Sequence, residues 1–267
     1  SLKWHYQWTP HDVWDYDGVN ENILFDHGGK KLLAHFDRNG YLFILDRTNG
    51  RLERVTRFGN PTWGEIAADG TVRPRLIPTP EGVEICPGPA GAKEWVHASY
   101  SPQTGLLYAP IIDTCADFKL VKQEFKEGMA YWGGEASVFG KPQSGAVKAF
   151  DPATGREVWS WASEQPMVAS VLTTAGGLVF TGEPSGKVNA YDARTGKVLW
   201  QFQTGSGIHS SPVSYSVDGR QYIAVPSGWG GWLEGFAPEM YGASRGSALF
   251  VFALPEGTGA AAAPPRR

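Results

Sequence analysis

Residues 7–22, QWTPHDVWDYDGVNEN, hold the densest set of side chains able to do chemistry in this sequence. Asp12, Asp15 and Asp17 alternate there with His11, Trp14 and Tyr16. In an extended chain the two-residue period puts Asp15 and Asp17 on one side. Two carboxylates converging in this way suit a hard cation such as calcium, which takes oxygen ligands at about 2.3–2.6 Å. One of the pair can also accept a proton beside the ion. The competing reading is a solvated acidic loop, because a lone Asp-x-Asp is too short to be specific.

A cationic side chain follows. Arg38 lies in HFDRNGYLFILDR, residues 35–47, where Asn39-Gly40 marks a type I′ or bulged hairpin. An exposed arginine at such a turn needs no function. Further on, PSGWGGWLEG (226–235) is too rich in glycine for a strand. Gly230 and Gly231 permit close backbone approach, as beside a flat ligand, with Trp232 as a wall; an ordinary glycine-rich loop explains them equally. Cys86 and Cys115 lack CxxC spacing and a His or Cys partner set, which argues against zinc. Their spacing leaves both a disulfide and two buried thiols open. His5, His11, His27, His35, His97 and His209 are scattered, so a calcium-using hydrolase or lyase with a histidine base has no local support.

The elements that must position these groups show themselves by repetition. AFDPATGREVWS (149–160) and AYDARTGKVLWQ (190–201) match at a period of 41 residues, the distance from Gly155 to Gly196. That is the length of a four-stranded β-propeller blade. In each copy Asp caps a tight turn, Gly supplies a positive φ, and the following strand carries a Trp toward the neighbouring sheet. Weaker copies are FILDRTNGRL (43–52), which lacks the Trp, and YSPQTGLL (100–107). YSVDGRQYIAVPSG (215–228) reads as another hairpin and ALFVFAL (248–254) as an apolar strand. LKWHYQ (2–7) aligns with KVLWQF (197–202), so Trp4 corresponds to Trp159 and Trp200, and the chain is expected to begin inside a repeat.

The expected architecture is all-β: residues 1–255 form a partial propeller of antiparallel four-stranded blades, about four and a fraction. EGTGAAAAPPRR (256–267) is expected to be a disordered tail. A propeller protects its edge strands by closing, so the expected partner is the rest of the same protein, a second polypeptide or another copy. The 267 residues are 42% hydrophobic and 19% charged, a globular composition. A net charge of -3 without a basic stripe argues against nucleic acid, and no run of 18 apolar residues is present to span a membrane.

In order along the chain, KWHYQWTPHDVWDYDGVN, HFDRNGYLFILDRTNG, ICPGPAGAKEW, the two AxDxxTGxxxW repeats and SGWGGW resemble the C-terminal half of the pyrroloquinoline-quinone (PQQ)-dependent alcohol dehydrogenases, an eight-bladed quinoprotein family. The resemblance implies that Asp15 is the catalytic carboxylate and a metal ligand, and that Arg38 reaches the quinone carbonyl side. It likens Asp17 to the additional carboxylate of lanthanide-using members, with calcium as the alternative ion. It pairs Cys86 with Cys115 in a disulfide, and brings the backbone of Trp232, beside Gly231, to the quinone edge. The implied reaction oxidises a primary alcohol, and also an aldehyde, by hydride transfer to metal-bound PQQ while Asp15 takes the hydroxyl proton. Electrons then pass to a soluble cytochrome c in the periplasm. Glu94 departs from the pattern, because methanol-type members carry asparagine there. The remaining metal ligands of the family, its vicinal cysteines and the Trp under the quinone belong to the upstream half. No CxxCH appears, so this segment carries no fused cytochrome. The rival is a non-catalytic propeller scaffold, in which AxDxxTGxxxW also occurs; WDYDG together with Arg38 favours the enzyme.

Overall fold

Three turns of the chain share one grammar, and they set the blades. The carboxylates of Asp46, Asp151 and Asp192 accept the N–H two residues on, from Thr48 (2.8 Å), Ala153 (2.8 Å) and Arg194 (3.0 Å). Their own carbonyls accept the N–H of Gly50, Gly155 and Gly196 at 2.8, 2.7 and 2.9 Å. Those glycines sit at φ 76, 74 and 71°, where a side chain would be strained. In each case the turn joins the third and fourth strands of an antiparallel sheet, next to a one-residue register shift.

The computed structural model describes residues 1–129, 131, 133–136, 143–228 and 245–255. Blade one is Ile23–His27, Lys30–Phe36, Tyr41–Asp46 and Leu52–Arg57. Blade two is Ser99–Ser101, Leu106–Asp113, Ser144–Phe150 and Glu157–Ser163. Blade three is Leu172–Thr173, Leu178–Gly182, Lys187–Asp192 and Val198–Gln203. A fourth sheet holds Val213–Val217, Arg220–Gly228 and Ser247–Phe252, its first hairpin closed by Asp218 and Gly219 at φ 50 and 77°. The described residues contain no helix, and the all-β propeller class expected from the repeats holds. Gly230, Gly231, Trp232 and the tail 256–267 lie outside the described residues.

One expected repeat is not a repeat of the same turn. Gly105 closes the hairpin between the first and second strands of blade two, whose third and fourth strands are joined at Gly155. YSPQTGLL and AFDPATGREVWS are thus two turns of one blade. The interval from Gly50 to Gly155 is long because, besides blade strands, it holds chain that leaves the blades. It builds a two-stranded ribbon, Gly64–Ile66 with Val72–Arg75, and a three-stranded sheet of Val83–Ile85, Ala116–Leu120 and Gly134–Ala136.

Neighbouring blades bury alternate residues between them, as half-buried strands must. Phe36, Leu42 and Ile44 meet Leu107, Ala109 and Phe150 between blades one and two. Tyr108, Val147 and Trp159 meet Val179 and Tyr191 between two and three, and Phe180, Val188 and Ile208 meet Ile223 and Val225 between three and four. Docked tryptophans tie these layers. Trp159 Nε1 donates to Ala193 O (2.9 Å), and Trp4 Nε1 donates to Arg47 O (3.2 Å). A Cβ on Gly196 or Gly50 would lie 2.5 or 2.6 Å from the respective indole, so both turns require glycine twice over. The equivalence of Trp4 and Trp159 is therefore structural. At Gly155 the place of the indole is taken by Thr56 and Arg54 of blade one, as the Trp-less copy at 43–52 requires.

The two outer faces of the stack differ. Blade one is covered by Trp14, Tyr16, Trp63, Ile66 and Ile85, packed on Tyr41 and Phe43. On blade four, Val213, Tyr215, Val217, Leu249 and Val251 are exposed.

Candidate active site

The loop carrying the acidic residues is held by the first of them. The Asp12 carboxylate accepts the N–H of Trp14 (2.9 Å), Tyr16 (2.7 Å) and Asp17 (3.0 Å). Asp15, at the apex, takes φ 69°, a left-handed conformation that aspartate tolerates better than most residues. The segment is therefore not extended, and the two-residue period expected from the sequence is not what aligns Asp15 with Asp17. The turn does that instead, by burying Trp14 and Tyr16 and leaving Asp15 and Asp17 facing out. Tyr16 anchors it through its hydroxyl, which donates to Pro87 O at 2.6 Å.

Arg38 comes from the turn between the second and third strands of blade one. The bulged hairpin is present: Asp37 N donates to Tyr41 O (3.0 Å), Gly40 N donates to Asp37 O (3.1 Å), and Gly40 is at φ 90°. The exposed arginine that would accompany it is not, because the side chain is only 13% exposed. It runs between two glycines. A Cβ on Gly18 would stand 2.7 Å from Arg38 Cδ, and one on Gly91 would stand 2.7 Å from Arg38 Cβ. Its Nη2 donates to Pro89 O and faces two carboxylates, Asp15 Oδ2 at 3.5 Å and Glu94 Oε1 at 3.4 Å. Its Nε is buried and has no partner among the described residues.

Residues 86–94 form the opposite wall. Cys86 and Cys115 are joined in a disulfide beside the paired residues Ile85 and Ala116. From there the wall is knitted by Gly88 N to Thr114 O (3.0 Å), Ala92 N to Arg38 O (2.8 Å) and Ile112 N to Ala92 O (2.8 Å). Lys93, fully buried, pairs its Nζ with Glu21 Oε2 (2.9 Å) and donates to Glu94 O (3.1 Å). Glu21 Oε1 in turn accepts Ala98 N at 2.6 Å. Sequence reasoning missed this pair, for the partners are 72 residues apart and no local pattern joins them. It also missed the capping role of Asp12, whose signal was present in an Asp two residues before a buried aromatic.

Burial sets the charge of the site. It raises the Asp15 carboxyl above the usual range, with Asp17 and Asp12 adding to the rise and Arg38 opposing it. Burial likewise raises Glu94, against Arg38 and the Trp95 N–H. Burial lowers Lys93, against Glu21. A buried guanidinium N–H without an acceptor, in a sleeve that two glycines keep narrow, fits an anionic or carbonyl-bearing ligand. Outward-facing Asp15 and Asp17 fit a hard cation beside it. Among the described residues no cluster of three or more His, Cys, Asp or Glu side chains is gathered to hold an ion.

Known proteins resemble this chain in sequence and fold. The family profile "Glucose/ethanol/alcohol dehydrogenase, beta-propeller domain" matches residues 1–55, and that of "Outer membrane protein assembly factor BamB" matches 143–228. Quinoprotein alcohol dehydrogenase PedH of Pseudomonas putida is 38% identical over 96% of this chain and 47% of its own length. The lanthanide-dependent methanol dehydrogenase of Methylacidiphilum fumariolicum is 40% identical over 87% of this chain and 41% of its own length. A solved europium-containing methanol dehydrogenase superposes with a TM-score of 0.81 at 36% identity, covering 93% of this chain and 50% of that one. Fold and sequence thus match a quinoprotein β-propeller. The chain belongs to the PQQ-dependent alcohol dehydrogenase family, and it spans about half the length of the relatives it matches.

Proposed function

We propose that this chain supplies the acid–base half of a PQQ- and metal-dependent alcohol oxidation site, completed by the other half of the propeller. The observation that carries the reading is the shared head of Arg38. One guanidinium nitrogen faces Asp15 and Glu94 while Nε stays buried with no partner among the described residues. PQQ, when bound with its metal ion, supplies the electrophilic carbonyl that accepts hydride from the alcohol. Asp15 is the base: its carboxylate takes the hydroxyl proton, and burial makes it more basic than an ordinary aspartate. Arg38 holds negative charge at its unpaired Nε. Asp15 and Asp17 contribute carboxylates to the metal, and the second anionic ligand favours a trivalent lanthanide over calcium. The family resemblance assigns Gly231 and Trp232, which lie outside the described residues, to cofactor binding. The substrate class is a primary alcohol, with an aldehyde as a further substrate and a soluble cytochrome c as electron acceptor. The Cys86–Cys115 disulfide supports a periplasmic location.

A scaffolding role draws on the match of residues 143–228 to an outer-membrane assembly factor. It gives no reason for a buried arginine with a free donor on blade one.

The test loads the full-length protein with PQQ and either a lanthanide or calcium, then follows dye reduction by primary alcohols. Asp15→Asn is expected to lower turnover on the order of a thousandfold at an unchanged urea midpoint; normal turnover would exclude Asp15 as the base. Asp17→Ala is expected to cost more lanthanide-supported than calcium-supported activity, and equal losses would refute the metal preference.

A further inference from the structure

Beneath the site lies a buried cluster that the proposed reaction does not use. His35, near the end of the strand Lys30–Phe36, and Asp37, in the turn that leads from it to Arg38, are both 3% exposed. His35 Nε2 lies 3.2 Å from Asp37 Oδ1, and His35 Nδ1 lies 3.3 Å from the backbone carbonyl of Glu21. A neutral imidazole carries one N–H, yet both ring nitrogens here face acceptors. Asp37 is well provided as an anion, for Oδ2 accepts Thr9 Oγ1 (3.1 Å) and Asn39 N (3.2 Å) besides the His35 contact. The Trp8 indole lies flat on His35, with ring centroids 4.1 Å apart and planes 9° apart, the face a cation prefers. Asn39 Nδ2 completes the cluster by donating to Trp8 O (3.3 Å) and Thr9 Oγ1 (2.9 Å).

Every bond in the cluster joins the segment before the acidic loop to the hairpin that presents Arg38, or braces a residue that does. We propose that His35 is held as an imidazolium paired with Asp37, and that this pair is a positioning device. By fastening Trp8 and Thr9 to the hairpin, it fixes Asp15 relative to Arg38. The role rests on the proposed function above, whereas the charge state of His35 does not.

Two experiments on the full-length protein separate these. Selective 15N-histidine labelling reads the charge state directly: at neutral pH both nitrogens of His35 are expected to carry protons. A single protonated nitrogen would overturn the ion pair whatever the activity. In the loaded enzyme, Asp37→Asn is expected to reduce kcat on the order of a hundredfold, the cost of about 1 Å of misplacement, with KM for alcohol nearly unchanged. Where Asp37→Asn does not fold, Thr9→Val removes the hydroxyl that ties Asp37 and Asn39 to the loop and leaves the His35–Asp37 pair in place. It is expected to lower kcat at an unchanged unfolding midpoint, and Thr9→Ser is expected to restore it. Wild-type kcat in Thr9→Val, or failure of serine to rescue, would overturn the positioning role. An inactive wild type with a doubly protonated His35 would count against the dehydrogenase reading and leave the ion pair standing.

Discussion

The repeat turns and the acidic loop use one device with opposite electrostatic results. Asp192 in blade three and Asp12 in the loop both fold the chain by accepting backbone N–H groups. The Thr195 hydroxyl, with those N–H groups, holds the solvent-facing Asp192 carboxyl below its usual range. Asp12 accepts three such bonds and still lies above it, because burial outweighs them. The difference teaches where the family resemblance is structural and where it is chemical. A solvent-facing turn needs only its hydrogen bonds, whereas in the loop at the site partial burial raises the Asp12 and Asp15 carboxyls despite the bonds and charges that oppose it.

That contrast can be broken from either side. Asp12→Ala strands three backbone donors in a half-buried loop and is expected to destabilise the protein by about 2–3 kcal/mol, read as a lowered urea midpoint with Asp15 displaced. Asp192→Ala exposes its donors to water and is expected to cost about 1 kcal/mol with turnover unchanged. Equal losses from the two would erase the distinction. The smallest effect concerns Glu94. Its carboxyl is raised in the folded state, so the stability linked to it is present at low pH and is lost as pH rises through the folded value. Glu94→Gln is expected to flatten that decline in a pH series of urea midpoints, and an unaltered slope would place Glu94 outside the buried set.

Much of the fold was legible because turn grammar is local. Asp, Thr, Gly and Trp at fixed offsets located the turns at Gly155 and Gly196, and the register of LKWHYQ located the docked Trp4. The same locality misled at YSPQTGLL, where a glycine turn of another hairpin imitated the repeat. The site was legible to the extent that Asp15 and Arg38 proved to be neighbours, 23 residues apart in sequence and in ion-pair contact in space. What holds them was not, since Lys93–Glu21 and the contacts of residues 86–94 span long separations. His35 and Asp37 did carry a local sign: two polar residues at a spacing of two, after the apolar run Leu32–Ala34.

Blade four shares its core with blade three through Ile223 and Val225, while its other face shows Val213, Tyr215, Leu249 and Val251 to solvent. A stack bound through nearest neighbours behaves as a zipper, with protection against opening that depends on how many sides a unit has covered. Blade two is clasped on both sides by blades of this chain, whereas blade four offers its apolar face to the rest of the propeller, and amide exchange in its strands should slow when that face is covered. Arg38 and the acidic loop stand at the other end of the stack, where Trp14, Tyr16 and Trp63 cover blade one.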